Sequence, residues 1–278
     1  MLYNKQRMRI RYDHQRSIYF HIRGERAFGK EADPRAGHDD LTSTTAWAEQ
    51  GYCVAPWLDE PGSSKFEQGV EKLFSTFLHR VGITVGTTFD LARYHAYTQH
   101  NDAWHLAVVN QAKLLSTSHF PGGVQQVEQR VSELCQVPVQ AVNPHNGEQV
   151  FHFRIVRPQK NDNNPFHRDV WLEEYHDAIN IYVPLAGSNE SSSLTLVPGS
   201  HRWSEATVER TRGGAKVNGV QYNVPAVTAS RRPLEPIRPN PARNEVLIFS
   251  PYLLHGGAVN LNEDLTRISL EMRFWRKQ

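Results

Sequence analysis

The spacing of the hydrophobic residues changes near residue 148, and this change limits the folds that the chain can adopt. Before it, apolar residues recur three or four positions apart, as at Phe66, Val70, Phe77 and Val81, which is the period of a helix with one buried face. Beyond it, apolar and polar residues alternate, which is typical of half-buried strands. The sequence therefore predicts an α+β chain with helices in its front half and a β-sandwich or barrel in its back half.

Three helices and six strands are predicted from these two periods. Ser64 and Glu67 form a capping-box pattern, which predicts that the first helix begins there and continues to about residue 81. The other elements follow from the apolar spacing alone. Helices are expected over 104–115 and 124–134, and strands over 18–22, 151–156, 179–183, 193–197, 245–249 and 268–274.

We expect the 278 residues to form a single domain with three parts. Residues 1–50 form an N-terminal extension, 51–147 a mainly helical support and 148–278 the β core. Within that core, residues 204–243 are rich in Arg, Gly, Pro and Asn and are interpreted as a long insertion. Insertions of this length in a compact domain often act as lids over a site.

The composition argues against several classes of protein. The chain has 31 basic and 29 acidic residues, whereas nucleic-acid-binding domains usually carry a basic excess. No apolar run approaches the roughly 20 residues that a membrane span needs. Two cysteines are too few for a disulfide framework or a four-thiolate zinc site, and they fit a reducing, cytoplasmic location. The 14 histidines are the unusual feature, and they raise the question of a metal site.

Two segments hold residues that suit a metal ion. His167 and Asp169 stand two positions apart, so in an extended chain their side chains point the same way. His255 ends an apolar strand and is followed by two glycines. Two imidazoles and one carboxylate occupy one face of an octahedral ion and leave positions open, which is the arrangement of Fe(II) oxygenases. A chance His-x-Asp pair, with Asp169 as a turn residue, is the alternative.

The strand after His255 favours the metal interpretation. A two-residue period places Arg267, Ser269, Glu271 and Arg273 on one face of this strand. The fork of Arg267 matches a carboxylate, and the hydroxyl of Ser269 can add a hydrogen bond. The alternative is an internal salt bridge or an exposed sheet face, and it is more credible for Glu271 and Arg273 than for the other two residues.

The order of these residues resembles that of the Fe(II)/2-oxoglutarate-dependent dioxygenases, and more narrowly that of the phytanoyl-CoA dioxygenase-like family. The PGSH stretch at 198–201 is similar to the family's turn between the metal motifs, and 51–58 resembles the family's usual opening before a capped helix. The resemblance covers about residues 45–275. The motifs that carry it are His167-x-Asp169, His255 and Arg267-x-Ser269.

The resemblance implies a fold and a set of metal ligands. The implied fold is a double-stranded β-helix, the jelly-roll or cupin-like barrel, with flanking helices from the N-terminal half. His167, Asp169 and His255 would hold Fe(II) and form the catalytic centre. Asp169 also indicates hydroxylation or a related oxidation, because halogenating relatives replace this carboxylate with a small residue.

Residues that contact 2-oxoglutarate and the substrate are also expected from the sequence. An ordinary core aromatic is the alternative role for Trp171, and a solvated sheet face is the alternative for Arg154. The expected contacts are Arg267, Ser269, Asn180 and Tyr182 for 2-oxoglutarate, and Trp171 and Arg154 for the substrate.

The implied reaction is the oxidation of a C–H bond of a small molecule by dioxygen, coupled to decarboxylation of 2-oxoglutarate to succinate. Two other functions use a similar barrel. A cupin-like isomerase or hydrolase also holds a metal with histidines and a carboxylate, but it needs no Arg-x-Ser pair after the second histidine. A non-catalytic binding module would keep the barrel without turnover, and the intact set of metal and anchoring residues argues against it.

Overall fold

A computed structural model describes residues 6–12, 16–86, 89–160 and 162–278 of the chain. The α-helices of this part are α1 (Glu60–Arg80), α2 (His95–Thr98), α3 (Asp102–Gln111) and α4 (Gln125–Cys135). The strands are β1 (Gln6–Tyr12), β2 (Arg16–Arg23), β3 (Arg26–Phe28), β4 (Tyr52–Pro56), β5 (Leu115–Ser116), β6 (Val139–Gln140), β7 (Val150–Val156), β8 (Ala178–Ala186), β9 (Val208–Thr211), β10 (Ala215–Val217), β11 (Val220–Tyr222), β12 (Val227–Ser230), β13 (Glu245–Phe249) and β14 (Arg267–Arg276).

The strands of the described residues form three antiparallel sheets. The largest has seven strands in the order β4-β13-β8-β14-β7-β5, and β6 pairs with β14 beside this path. The other two sheets have the orders β1-β2-β10-β11 and β12-β9-β3. The combination of helices with antiparallel sheets confirms the expected α+β class. Within this part of the chain, no helix has both the length and the apolar character that crossing a membrane requires.

The seven-stranded sheet buries one face against the helices and turns the other toward a pocket. On β14, Ile268, Leu270 and Phe274 are fully buried in the main hydrophobic core. Helices α1 and α4 cover this face and contribute residues such as Phe74 and Val131 to the same core. The alternate residues of β14 therefore project from the opposite face, as the two-residue period predicts.

The first helix begins earlier than its sequence pattern suggested. Helix α1 begins at Glu60, where the side chain of Asp59 accepts a hydrogen bond from the Gly62 N–H at 2.8 Å. Pro61 suits this first turn, because a proline there forfeits no intrahelical hydrogen bond. The predicted start at Ser64 was therefore wrong, since an aspartate five residues earlier already caps the helix. The helix expected over 124–134 is confirmed as α4. The helix expected over 104–115 is confirmed as α3, but it ends at Gln111, and Leu115 lies in β5 instead.

One predicted strand is absent from the structure, whereas the other five are confirmed. Residues 193–197 form only isolated bridges, in which Leu196 pairs with Ile237 and with His255. The chain turns just before this segment, where the N–H groups of both Ser192 and Ser193 donate to the Asn189 carbonyl. It turns again at the PGSH stretch. Too few residues lie between the two turns to continue a ladder.

The N-terminal extension and the insertion at 204–243 pair with each other. Strands β1 and β2 continue into β10 and β11 of the insertion, and β3 pairs with β9. The buried side chains of these strands pack with Phe166 and Leu254, which directly precede two of the predicted metal ligands. The hydroxyl of Tyr12 also donates to the Gly257 carbonyl. The extension thus lies behind the segments that carry His167 and His255.

We expect strand β1 to contribute strongly to stability. Ile10 is 1% exposed and packs against the insertion, so Ile10→Ala is expected to lower the free energy of unfolding by about 2–5 kcal/mol. Arg9→Ala is the matched control on the exposed face of the same strand, where a change of about 0.5 kcal/mol or less is expected. Urea unfolding measures both variants. Equal losses would contradict a packed N-terminal strand.

Candidate metal centre

The segments that carry His167 and His255 are held together by their backbones. The His167 N–H donates to the His255 carbonyl at 2.9 Å, and the His255 N–H donates back at 3.0 Å. The two imidazole rings consequently lie side by side, with centroids 4.4 Å apart. Both side chains are buried. A short antiparallel bridge therefore brings together two histidines that are distant in the sequence.

Each imidazole is oriented by a hydrogen bond from its Nδ1 atom. His167 Nδ1 lies 2.8 Å from the Pro165 carbonyl, and His255 Nδ1 lies 2.9 Å from the Leu253 carbonyl. A carbonyl oxygen only accepts, so Nδ1 carries the proton in both rings. The lone pair of each ring is then on Nε2, which is the tautomer that a metal-binding histidine with a carbonyl partner adopts.

Asp169 completes the group of three. Its Oδ1 atom lies 3.2 Å from His167 Nε2 and 3.6 Å from His255 Nε2. Arg168, which separates Asp169 from His167, has an extended backbone with φ −110° and ψ 141°, so the two side chains point the same way as predicted. One ligand atom from each of the three residues lies within 4.8 Å of the others. This spacing suits a single divalent ion.

The charge states of this group also suit a metal ion. Burial, together with the neighbouring His255, lowers the pKa of His167. Burial alone would raise the pKa of Asp169, but the charge of Arg273 holds it well below its usual range. At neutral pH the site therefore holds an ionised carboxylate beside a neutral His167 imidazole. Metal binding requires its ligands in these deprotonated forms.

The three residues line a pocket between the seven-stranded sheet and the bridged segments. Its walls combine charged and amide side chains with a few apolar ones. The other lining residues include Arg154, Asn163, Asn164, Asn180, Leu194, Phe249, Ala258, Arg267, Glu271, Met272 and Arg273.

Arg267 is buried in this pocket without a partner for most of its donors. Its side chain is 2% exposed, and neither Nε nor Nη1 has a hydrogen-bond partner among the described residues. The Ser269 hydroxyl and the Asn180 Nδ2 atom are likewise buried and unpaired. An unpaired buried guanidinium is costly, so the arrangement calls for an anion from outside the chain.

The residues expected to contact 2-oxoglutarate or the substrate divide into those that line the pocket and those that do not. Arg154 lines the pocket, where it donates to Glu271 and to Asn164 at 3.1 and 3.2 Å. Ser269, Trp171 and Tyr182 do not line it. The Trp171 indole donates to a glutamate of the insertion, Glu205, at 2.9 Å, and the Tyr182 hydroxyl contacts a serine of the next turn at 2.9 Å.

Sequence reasoning missed the pairings of two pocket residues. Arg273 donates to Asp169 Oδ2 through Nε at 3.1 Å and Nη2 at 2.8 Å. Glu271 accepts from Arg154, whose nearby charge helps to hold the Glu271 pKa at about 2 although burial alone would raise it. The two-residue period had already placed both residues on the face of Arg267. The period gave no information about which other segment carries the partner of each residue.

Gly256 is required beside the metal ligands. Its φ is +104°, a conformation that side-chain-bearing residues rarely adopt. A Cβ atom there would lie 2.2 Å from the Pro165 carbonyl oxygen and 3.1 Å from His167 Nδ1. A side chain at position 256 is therefore disfavoured for two reasons. The backbone is left-handed, and the added atom would collide with the carbonyl that orients His167.

Gly256→Ala is expected to weaken metal binding by about 10-fold or more, because the displaced Pro165 carbonyl no longer orients His167. Gly219→Ala is the control: its φ is +91°, but no atom lies within 4 Å of the added Cβ. The comparison separates the steric contact from the strain of a positive φ. Titration of each apoprotein with Co(II) gives the affinities. An effect of equal size in both variants would contradict the expectation.

His152 gives the pocket wall a pH-dependent stability. Burial, aided by the charge of Arg273, lowers the pKa of His152 to about 4, and its Nδ1 accepts the Leu114 N–H at 3.0 Å. Between pH 4 and 6.5 the unfolded chain therefore binds a proton that the folded chain does not. The contribution to stability is complete above pH 6.5 and is lost as the pH falls toward 4.

We therefore expect His152→Asn to flatten the pH dependence of unfolding between pH 6.5 and 4 by about 3 kcal/mol. The exposed His100→Asn serves as the control and is expected to leave the profile unchanged. Urea unfolding of the apoprotein at a series of pH values provides the measurement. A His152→Asn profile with the wild-type slope would contradict the assignment.

Comparison with known proteins places this site in a family. The family model of phytanoyl-CoA dioxygenase (PhyH) matches residues 47–269, which include the three candidate ligands and Arg267. No curated protein matches the chain.

Solved structures resemble the chain only distantly. EctD from S. alaskensis, with 2-oxoglutarate and 5-hydroxyectoine, has a TM-score of 0.48 and 13% identity, covering 99% of this chain and 86% of that one. AviO1 from Streptomyces viridochromogenes Tue57 has a TM-score of 0.47 and 14% identity, covering 82% of this chain and 90% of that one. The non-heme alpha ketoglutarate dependent epimerase SnoN from nogalamycin biosynthesis has a TM-score of 0.42 and 12% identity, covering 85% of this chain and 81% of that one.

The match to the family model extends over more than three quarters of the chain, and it spans both the helical part and the pocket. The donor set of the pocket fits the cofactors of that family, because it combines a His-Asp-His group with a buried cation that lacks an anionic partner. The chain therefore belongs to the phytanoyl-CoA dioxygenase family of enzymes, which use Fe(II), 2-oxoglutarate and dioxygen.

Proposed function

We propose that His167, Asp169 and His255 hold Fe(II), that Arg267 binds the distal carboxylate of 2-oxoglutarate, and that the enzyme hydroxylates a small molecule. The observation that carries this proposal is the guanidinium of Arg267, which lies in the same pocket as the three candidate ligands with Nε and Nη1 unpaired. Such a group needs an anion, and a dicarboxylate that reaches the metal supplies one.

The charges of the pocket single out Arg267 as the anion anchor. Three arginines line the pocket, and two of them have carboxylate partners: Arg154 pairs with Glu271 and Arg273 with Asp169. Among the described residues, no carboxylate forms an ion pair with Arg267, although the charge of Arg267 acts on Glu271 from a greater distance. A planar guanidinium offers two parallel N–H groups, which match the two oxygens of a carboxylate.

Asn180 and Ser269 are proposed to assist Arg267. The Asn180 Nδ2 atom and the Ser269 hydroxyl are buried without partners, so each has a hydrogen bond to give to a bound carboxylate oxygen. Tyr182 contributes its ring instead, since the guanidinium carbon of Arg267 lies 5.9 Å from the ring centroid. This contact restrains the arginine rather than touching the co-substrate.

The protein's part in the reaction is to position groups and to exclude water. Fe(II) with 2-oxoglutarate activates dioxygen for attack on a C–H bond and releases succinate and carbon dioxide. His167, Asp169 and His255 would hold the ion at the pocket, and a ligand set of this kind would leave it able to bind further groups. The neutral His167 and the ionised Asp169 are ready to bind without losing a proton.

A second wall opposite the seven-stranded sheet supports the proposed double-stranded β-helix. Leu196 bridges Ile237 on one side and His255 on the other, and His255 in turn bridges His167. These extended segments lie across the pocket from β8 and β14. Two facing layers of antiparallel segments around a site are what the jelly-roll arrangement requires.

We also propose a single domain, in which the N-terminal extension and the insertion at 204–243 support one wall of the barrel. The strand pairing between these two regions favours this over a separate extension. Two free cysteines, one buried and one half-buried, fit the expected reducing, cytoplasmic location.

A hydroxylation or related oxidation is the reaction we propose, and Arg154 is the proposed substrate contact. Asp169 occupies the ligand position that halogenating relatives leave to a small residue. Arg154 lines the pocket together with Asn163 and Asn164, and its guanidinium is paired with Glu271. These polar groups favour a polar small-molecule substrate. Trp171 is not part of this proposal, because it lies outside the pocket lining.

Arg267→Ala is expected to raise the Kd of 2-oxoglutarate at least about 30-fold, or about 2 kcal/mol, because the charge-assisted hydrogen bonds to its carboxylate are lost. Metal affinity should stay close to that of the wild type. His167→Ala is expected to lose metal binding and, with it, succinate formation. Calorimetric titration with Mn(II) and then with 2-oxoglutarate, followed by a succinate assay with Fe(II) and dioxygen, measures both effects.

Arg276→Ala provides the control for this experiment, since it removes an arginine from the exposed end of the same strand. Wild-type affinity of Arg267→Ala for 2-oxoglutarate would contradict the anchor. A protein that binds the metal but shows no 2-oxoglutarate binding would instead favour the cupin-like isomerase or hydrolase.

A further inference from the structure

We propose that Arg273 is a positioning residue for the metal centre, which fixes the carboxylate of Asp169 so that Oδ1 alone faces the two imidazoles. The inference rests on the proposed metal site and adds a residue that the sequence pattern had associated with an ordinary salt bridge. Arg273 would thereby determine whether the Asp169 carboxylate binds the metal through one oxygen or through both.

The two oxygens of Asp169 have different partners. Oδ2 accepts two hydrogen bonds from Arg273, from Nε at 3.1 Å and from Nη2 at 2.8 Å. Oδ1 lies 3.2 and 3.6 Å from the Nε2 atoms of His167 and His255. Both guanidinium donors thus converge on the oxygen that points away from the histidines.

The backbone of Asp169 does not determine which way its carboxylate is turned. The Asp169 N–H donates to the Pro251 carbonyl at 3.0 Å, which holds the main chain in place. The terminal torsion of an aspartate, however, is broad, so the carboxylate can turn at little cost until both oxygens face the histidines. Two charge-assisted hydrogen bonds to one oxygen remove that freedom.

Arg273 is itself held from two directions. It lies on β14 opposite Asn180 of β8, and its chain neighbours Met272 and Phe274 are 1% and 0% exposed in the main core. On its other side, the guanidinium carbon lies 4.0 Å from the centroid of the Tyr175 ring, which favours a cation. Tyr175 belongs to the turn that follows the ligand segment, so it ties the arginine to the same region of the chain.

This arrangement has a consequence for the metal. A carboxylate whose second oxygen is occupied by two N–H donors binds through one oxygen, whereas a free one also binds through both. With one-oxygen binding, the three protein ligands take one face of an octahedral ion and leave the other positions for 2-oxoglutarate and dioxygen. Two-oxygen binding would consume one of those positions. We therefore expect Arg273 to set the coordination number that the protein imposes.

A purely structural role for Arg273 makes a different prediction. If the guanidinium only neutralised a buried carboxylate, any cation at this position would serve. Arg273→Lys keeps the charge but offers an ammonium at the end of a flexible chain, without the planar pair of donors. Arg273→Gln removes the charge as well. The lysine variant therefore separates orientation from charge.

The experiment uses Co(II) with the full chain, because the visible spectrum of Co(II) reports its coordination number and geometry. For Arg273→Lys we expect an apoprotein whose unfolding midpoint is close to that of the wild type, a Co(II) affinity about 10–100-fold weaker and an altered Co(II) spectrum. Arg273→Gln should show the same changes to a larger degree. Tyr175→Leu, which leaves both charges in place, should produce a smaller change in the same direction.

Arg157→Lys is the matched control. Arg157 is also buried, at 5% exposure, and donates through Nε and Nη2 to the carboxylate of Asp162, but it does not line the pocket. This variant should keep the wild-type Co(II) affinity and spectrum. A change in the control equal to that of Arg273→Lys would overturn the inference.

Two further outcomes are distinguishable. Wild-type Co(II) affinity and spectrum in both Arg273 variants would overturn the positioning role and leave the metal site intact, even if their unfolding midpoints fell. Failure of the wild-type protein to bind Co(II) would overturn the proposed metal site itself.

Discussion

The reciprocal backbone hydrogen bonds between His167 and His255 are the constraint on which the metal centre depends, because they hold two distant segments at one spacing. Each ring is then oriented by its own segment, since its Nδ1 atom donates to the carbonyl two residues earlier, of Pro165 or Leu253. The positions of both Nε2 atoms therefore follow mainly from backbone geometry. Gly256 belongs to the same constraint, because a side chain there would collide with the Pro165 carbonyl.

The carboxylate of the group is controlled from the other wall of the pocket. Asp169 lies on the segment of His167, but its outer oxygen is held by Arg273 of the seven-stranded sheet. Arg267 projects from the same strand toward the same space. Binding of a metal and a dicarboxylate would thus connect the two walls, and such binding stabilises only the state in which both walls are in place.

The sequence was sufficient for those parts of the fold and site that depend on local spacing. The alternation on β14 places Arg267 and Arg273 on one face, and the structure has the same alternation. The partner of Arg273 could not be predicted, since a two-residue period gives the face of a side chain but not the segment opposite it. For the same reason, the pairing between the strands of 1–50 and 204–243 was missed: these strands are short and their hydrogen bonds join distant parts of the chain.

Arg168 shows how residues 204–243 act on the metal centre without lining the pocket. The extended backbone that points His167 and Asp169 into the pocket sends the side chain between them to the opposite side. There the fully buried guanidinium pairs with Glu205 at the start of the insertion. Breaking a buried ion pair of this kind costs about 3–5 kcal/mol. The first turn of the insertion is therefore fixed to the ligand segment, and any movement of the insertion as a lid must begin beyond Glu205.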